Sequence, residues 1–238
     1  MKTAICLSGE LRSIKESWNG IKKHILSSFN DYDIFYHTWN DDPNLNDLSI
    51  LVKDGHLKDI LIEPRITFDE KNYNTRKRSE VNVQGFLRQL YCLKKCNSLI
   101  SQFEQDNNFI YDVVVRLRPD IKIVLDSKLE NVKPENLTNS VYIPTHDSWF
   151  GYNDRFYYSN SANMDILANR FDEIESYFLK GGLIHYETFF KYMVDMTDLK
   201  VIDSDLKFVL LRTNGKLDGE LVIPNQSKFP LAKTNLIV

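Results

Sequence analysis

The sequence predicts an α/β sandwich on a mostly parallel sheet, folded as a single domain over residues 1–238. Two observations carry this expectation. Short, apolar, β-like runs alternate with longer stretches of helical periodicity, the signature of strands joined by helical crossovers. The chain is also long enough for one large core, and 42% hydrophobic with 12% aromatic residues excludes disorder over most of it.

The elements follow in order. Residues 3–8 form an apolar run closed by Gly9, a buried strand feeding a turn. Residues 13–29 place Ile14, Trp18, Ile21, Ile25 and Phe29 at helical spacing, with Ser13 as the expected N-cap. Residues 33–39 read as the second strand, followed by a loop rich in Asp and Asn. Residues 48–78 give a short helix or turn, a strand near 60–62 and the basic loop Arg76, Lys77, Arg78. A long amphipathic helix over 81–103 turns Phe86, Leu87, Leu90, Leu93 and Leu99 to the core and stops at Asn107 and Asn108. Residues 111–117 are the most β-like segment and run directly into Arg118, Pro119 and Asp120. A strand over 141–144, a helix over 161–178, a break at Gly181 and Gly182, a helix over 185–194 and strands near 201 and 208–212 complete the pattern. From Thr213 onward the chain reads as an irregular tail on the surface or over a site.

Composition narrows the function. Thirty basic against thirty-three acidic residues leave a net charge of -3, which gives no electrostatic reason to expect nucleic-acid binding. No apolar run is long enough to span a bilayer, and the N-terminal one is cut off by Glu10 and Arg12, too early for a signal peptide. Three cysteines cannot build a disulfide framework. A cytoplasmic protein is expected.

In open α/β sheets the ligand sits beyond the carboxyl ends of the strands, and three strand ends here are polar. The first offers Ser8, Gly9 and Arg12, the second His37, Trp39 and Asp41, and the central one Arg116, Arg118 and Asp120. A turn at Gly9 would let backbone N–H groups approach an anion while Arg12 clamps it; alternatively Gly9 only closes a strand. Arg116 and Arg118 share a strand face by the two-residue period, so an anion or carboxylate is needed between them; the alternative is an internal Arg–Asp pair. Farther along, residues 146–156 mix aromatic rings with carboxylates, the means by which proteins hold sugars. Asp154 is the candidate sugar-contacting or catalytic acid there, or else a loop residue pairing with Arg155 or capping a turn. Glu187 opens the last helix, as a general base or as a favourable charge at a helix N-terminus. Gln89 and Lys94 are weaker candidates on the long helix, and Cys92 with Cys96 read as packing.

Residues 116–120, Arg-Leu-Arg-Pro-Asp, resemble the acidic strand-end motif of nucleotide-sugar glycosyltransferases of the GT-A type, with Arg118 where that motif has its first acid. Ser8-Gly9-Glu10-Leu11-Arg12 and the second strand are similar to segments of glycosyltransferase-like proteins of large viruses and of bacterial surface-polysaccharide clusters. The resemblance covers roughly residues 1–200. It implies a Rossmann-type α/β/α domain with a nucleotide-binding half over 1–120 and an acceptor half over 121–238. It also implies transfer of a sugar from a nucleotide-diphosphate donor to a glycan or other hydroxyl acceptor. Donor contacts would fall to Ser8, Gly9, Arg12, His37, Trp39, Gln89, Arg116, Arg118 and Asp120, with Asp154 and Glu187 catalytic. A divalent cation, Mn²⁺ or Mg²⁺, would sit on Asp120, its second ligand coming from His146, Asp147, Asp154 or His185; otherwise Arg116 and Arg118 neutralise the phosphates themselves. The other readings are a sugar nucleotidyltransferase, which the single Gly9 disfavours, and a non-catalytic carbohydrate-binding module.

Overall fold

The computed structural model describes residues 1–73, 81–124, 126–129 and 132–219. Its centre is β1 (Thr3–Ser8), buried along its whole length. The strand alternates its side chains between two cores. Ala4 and Cys6 pack under the long helix α3 (Val83–Asn107), whereas Ile5 and Leu7 pack under α1 (Ile14–His24). Helices therefore cover both faces, which is why β1 reads as a continuous apolar run rather than an alternating one.

Around β1 lie β2 (Tyr32–Trp39) and β4 (Val113–Leu117), both parallel to it, with Ser8 opposite His37 and Leu7 opposite Leu117. Beyond β2 runs β3 (Leu57–Glu63), entered from α2 (Ser49–Asp54). On the other side come β7 (Phe156–Ser159), β6 (Ser140–Ile143) and β8 (Lys200–Asp203). The sheet order is β3-β2-β1-β4-β7-β6-β8, parallel except where β7 runs against both its neighbours. The expected mixed α/β architecture with a mostly parallel sheet is thus observed. A second, antiparallel sheet of β10 (Leu217–Asp218), β9 (Phe208–Leu211) and β5 (Ile121–Ile123) braces the tip of β4, since β5 begins just beyond Asp120.

Local differences have local causes. The helix expected over 13–29 ends at His24 and continues as a 3-10 turn over Leu26–Ser28. Ser13 makes no side-chain cap; its hydroxyl donates to the Leu211 carbonyl and ties α1 to the second sheet. The helix expected over 161–178 divides into α4 (Ser161–Ala168), a 3-10 turn (Asn169–Glu173) and α5 (Ile174–Leu179). Gly182 lies so close to the Tyr177 ring that a Cβ there would stand 2.4 Å from ring carbons, so the break before α6 (Tyr186–Asp195) requires glycine. The long helix is capped by the Asn82 side chain, which accepts from the Gly85 N–H at 3.0 Å, and Asn108 ends it in a left-handed conformation. The basic loop at 76–78 and residues 220–238 lie outside the described residues. No described helix is long and apolar enough to cross a membrane.

Candidate functional site

Strands β1 and β4 lie side by side, yet β1 leads to β2 on one side and β4 to β7 on the other. Such a reversal leaves a crevice at the carboxyl ends of the strands. A cavity of about 410 Å³ opens there. It gathers Ser8, Gly9 and Arg12 from the end of β1, Trp39 from β2, and Arg116, Arg118 and Asp120 from β4. Gln89 of α3, Asp154 and Glu187 complete the sequence candidates on its wall. His37 is not on that wall. It is fully buried, its Nε2 is 2.7 Å from Glu63 Oε1, and burial lowers its pKa despite Glu63. Lys94 lies apart, paired with Asp172 at 2.6 Å.

The β1 turn is built differently from a backbone anion nest. Gly9 adopts φ 95, which glycine tolerates, and donates its N–H to the His37 carbonyl at 3.0 Å. The Leu11 N–H goes to Asp42 Oδ2 at 2.7 Å. With these amides committed inside the fold, charge recognition passes to Arg12, held at φ 49, whose Nη1 lies 3.2 Å from Asp120 Oδ2.

At the tip of β4 Arg118 grips Asp120 with both arms, Nε to Oδ1 at 2.8 Å and Nη2 to Oδ2 at 2.7 Å. Burial would raise the Asp120 carboxyl, but the charge and hydrogen bonds of Arg118, with Arg12 and Arg212, hold it well below the ordinary range. One carboxylate thus serves three guanidiniums, and Arg118 in turn lowers the pKa of Arg12. This arrangement does not fit a divalent cation. Both Asp120 oxygens are occupied by arginine, and no group of three His, Cys, Asp or Glu placed to hold a metal occurs among the described residues. His146, Asp147 and His185 do not line the cavity. The His146 ring packs edge-on against Phe208 at 4.8 Å, and burial pushes its pKa down to about 4.

Across the cavity, Glu187 sits in the first turn of α6, 4% exposed. Arg155 Nη2 donates to it at 2.9 Å, so Arg155 pairs with Glu187 and not with Asp154. Burial and the neighbouring Asp154 outweigh Arg155 and push the Glu187 carboxyl up to about 8. Asp154 itself accepts from Gln89 Nε2, with Arg170 Nη2 at 3.8 Å. The loop before β7 is locked onto α6. Tyr152 donates its N–H to the Glu187 carbonyl at 3.1 Å, and a Cβ on Gly151 would fall 1.9 Å from that oxygen.

Four arginines on the cavity wall, Arg65, Arg88, Arg155 and Arg212, were not singled out from sequence as site residues. Arg88 had a legible signal: Gly85, Arg88, Gln89 and Cys92 all line the cavity and follow one helix face at i, i+3, i+4, i+7. Arg65 and Arg212 had none, because loop geometry alone brings them in. Arg65 bridges Asp41 at 2.9 Å and Glu10 at 2.8 Å. Among the described residues the wall carries seven arginines, no lysine and four carboxylates. No curated protein matches the chain. Residues 1–218 match the family described as domain of unknown function DUF7796, and the chain belongs to that family.

Proposed function

We propose that the protein is a nucleotide-sugar-dependent glycosyltransferase of GT-A-like architecture, in which arginines neutralise the donor diphosphate. The observation that carries the reading is the cation excess of the cavity at the carboxyl ends of β1 and β4, facing a buried carboxylate pair. A sugar leaving its carrier transfers a bonding electron pair to the diphosphate, so fixed positive charge around that group lowers the barrier. Guanidiniums supply such charge bidentately and remain protonated at any working pH. On the opposite wall, Glu187 takes the proton of the acceptor hydroxyl as that oxygen attacks the anomeric carbon and the bond to the diphosphate breaks. A carboxyl pushed up to about 8 is matched to proton transfer near neutrality. Asp154, held by Gln89, would contact sugar hydroxyls. The three free, buried cysteines are consistent with a reducing, cytoplasmic setting.

The test is a thermal-shift screen of nucleotide sugars in EDTA, repeated with Mn²⁺. A donor at a hundred times its Kd stabilises the folded state by about 2.7 kcal/mol. Glu187→Gln should keep that shift while losing about 10²–10⁴-fold in transfer rate, the usual yield of a general base. If no nucleotide sugar shifts the transition under either condition, the reading fails.

A further inference from the structure

We infer that Arg116 and Ser8 form a buried seat for a phosphate-type dianion, one that works without a divalent cation. This inference rests on the reading above in naming the anion as the diphosphate of the donor.

Arg116 is 1% exposed and lies on the cavity wall. One of its nitrogens, Nη1, donates to the Leu117 carbonyl at 2.6 Å, and its Nε has no hydrogen-bond partner among the described residues. No described carboxylate comes within salt-bridge distance of it, in contrast to Arg12, Arg118 and Arg155 on the same wall. Ser8 is 5% exposed and its Oγ is likewise without a partner among the described residues. The two residues come from adjacent parallel strands whose register sets Leu7 beside Leu117, so both lie where β1 and β4 open into the cavity. A buried guanidinium lacking a counter-ion is costly, and so is a buried hydroxyl lacking a bond. An anion entering the cavity relieves both at once. The neighbouring Asp120 cannot do so, because Arg118 and Arg12 already hold its oxygens. The chemistry that fits is an oxyanion with several acceptor oxygens, and the wall already supplies the positive charge that a metal would otherwise bring.

The experiment is calorimetric titration of inorganic pyrophosphate into the full chain in EDTA and again with Mn²⁺, beside a melting curve of the ligand-free protein. Binding is expected in EDTA. Arg116→Met should weaken it by about 10–100-fold, the worth of a charge-assisted hydrogen bond, while raising the melting temperature of the ligand-free protein because an uncompensated charge has gone. Ser8→Ala should weaken binding by about fivefold and leave the fold unchanged. If Arg116→Met does not fold, Arg116→Lys decides, since it keeps the charge but loses the fork and should still bind about tenfold more weakly. Binding only in the presence of Mn²⁺, or an affinity indifferent to changes at Arg116 and Ser8, overturns the seat. Pyrophosphate binding that depends on Arg116 in EDTA, with no nucleotide sugar turned over, would uphold the seat and remove the glycosyltransferase reading.

Discussion

Two carboxylates in one cavity face opposite electrostatic fates, and pH separates them. Asp120 is ionised by its arginines, so its folded pKa lies below the unfolded value. Its stabilisation is therefore present above about pH 4 and is lost as pH falls toward the folded value. Asp120→Asn leaves Arg118 and Arg12 facing a neutral amide and should destabilise by about 3–5 kcal/mol at pH 7 in chemical denaturation; a change below 1 kcal/mol would show that the arginines find other partners. Glu187 behaves inversely. Its folded pKa is raised to about 8, so its contribution is complete below the unfolded pKa and disappears as pH rises through 8. Glu187→Gln should therefore flatten the decline of stability between pH 6 and 9, measured as urea midpoints across that range, and an unchanged slope would assign the decline to another group. The residues of this contrast were legible in the sequence because strand ends and helix starts are where an α/β sheet exposes polar groups. The Arg118–Asp120 pair was among the sequence alternatives, two positions apart on one strand end; the Arg155–Glu187 pair was not legible, because it spans thirty-two positions and depends on how the loop before β7 docks.

That docking is an element-scale property. The loop holds Asp147, Trp149 and Phe150 at φ of 52, 39 and 70, a conformation that L-residues adopt at a cost of order 1–3 kcal/mol each. It is offset by what the loop gains on α6, where Gly151 fits directly against the Glu187 carbonyl. Gly151→Ala has no room for its methyl group and should cost about 1–3 kcal/mol, as overpacking does, and, on the glycosyltransferase reading proposed above, reduce sugar transfer by displacing Glu187. Measured stability and activity should fall together; full activity with a normal melting temperature would mean that the loop shifts freely. Elements with a clear period, such as β1 and α3, were readable from sequence. Strand β7 was not, because Phe156–Ser159 is buried on both faces and follows an aromatic loop, so neither alternation nor a turn signal sets it apart. The second sheet escaped notice for a related reason: β5 is three residues long and pairs with β9 across more than eighty positions.

At the scale of the whole molecule, charge is segregated. The chain carries three more acids than bases, whereas among the described residues the cavity wall carries three more arginines than carboxylates. Bulk net charge, which argued against a nucleic-acid partner, therefore conceals a local positive field in a concave, partly enclosed site, the geometry that focuses field lines on an anion. The arginines differ in how salt should act on them. Arg12 and Arg212 are about a third exposed, with side-chain exposures of 35% and 38%, and Arg88 is half-buried with no carboxylate at salt-bridge distance among the described residues. Arg116 is sealed. Between 0.05 and 0.5 M NaCl the Debye length shrinks from about 14 to about 4 Å, so the outer arginines lose their reach while the buried one keeps its contact. Association of pyrophosphate, followed by stopped flow, should slow by about tenfold or more over that range, with a dissociation rate that changes little. Arg88→Gln should reduce the salt dependence of association, and Arg116→Met should act on dissociation instead. Equal effects of both substitutions on both rates would mean that the cavity acts as one diffuse charge, with no division between a steering rim and a binding floor.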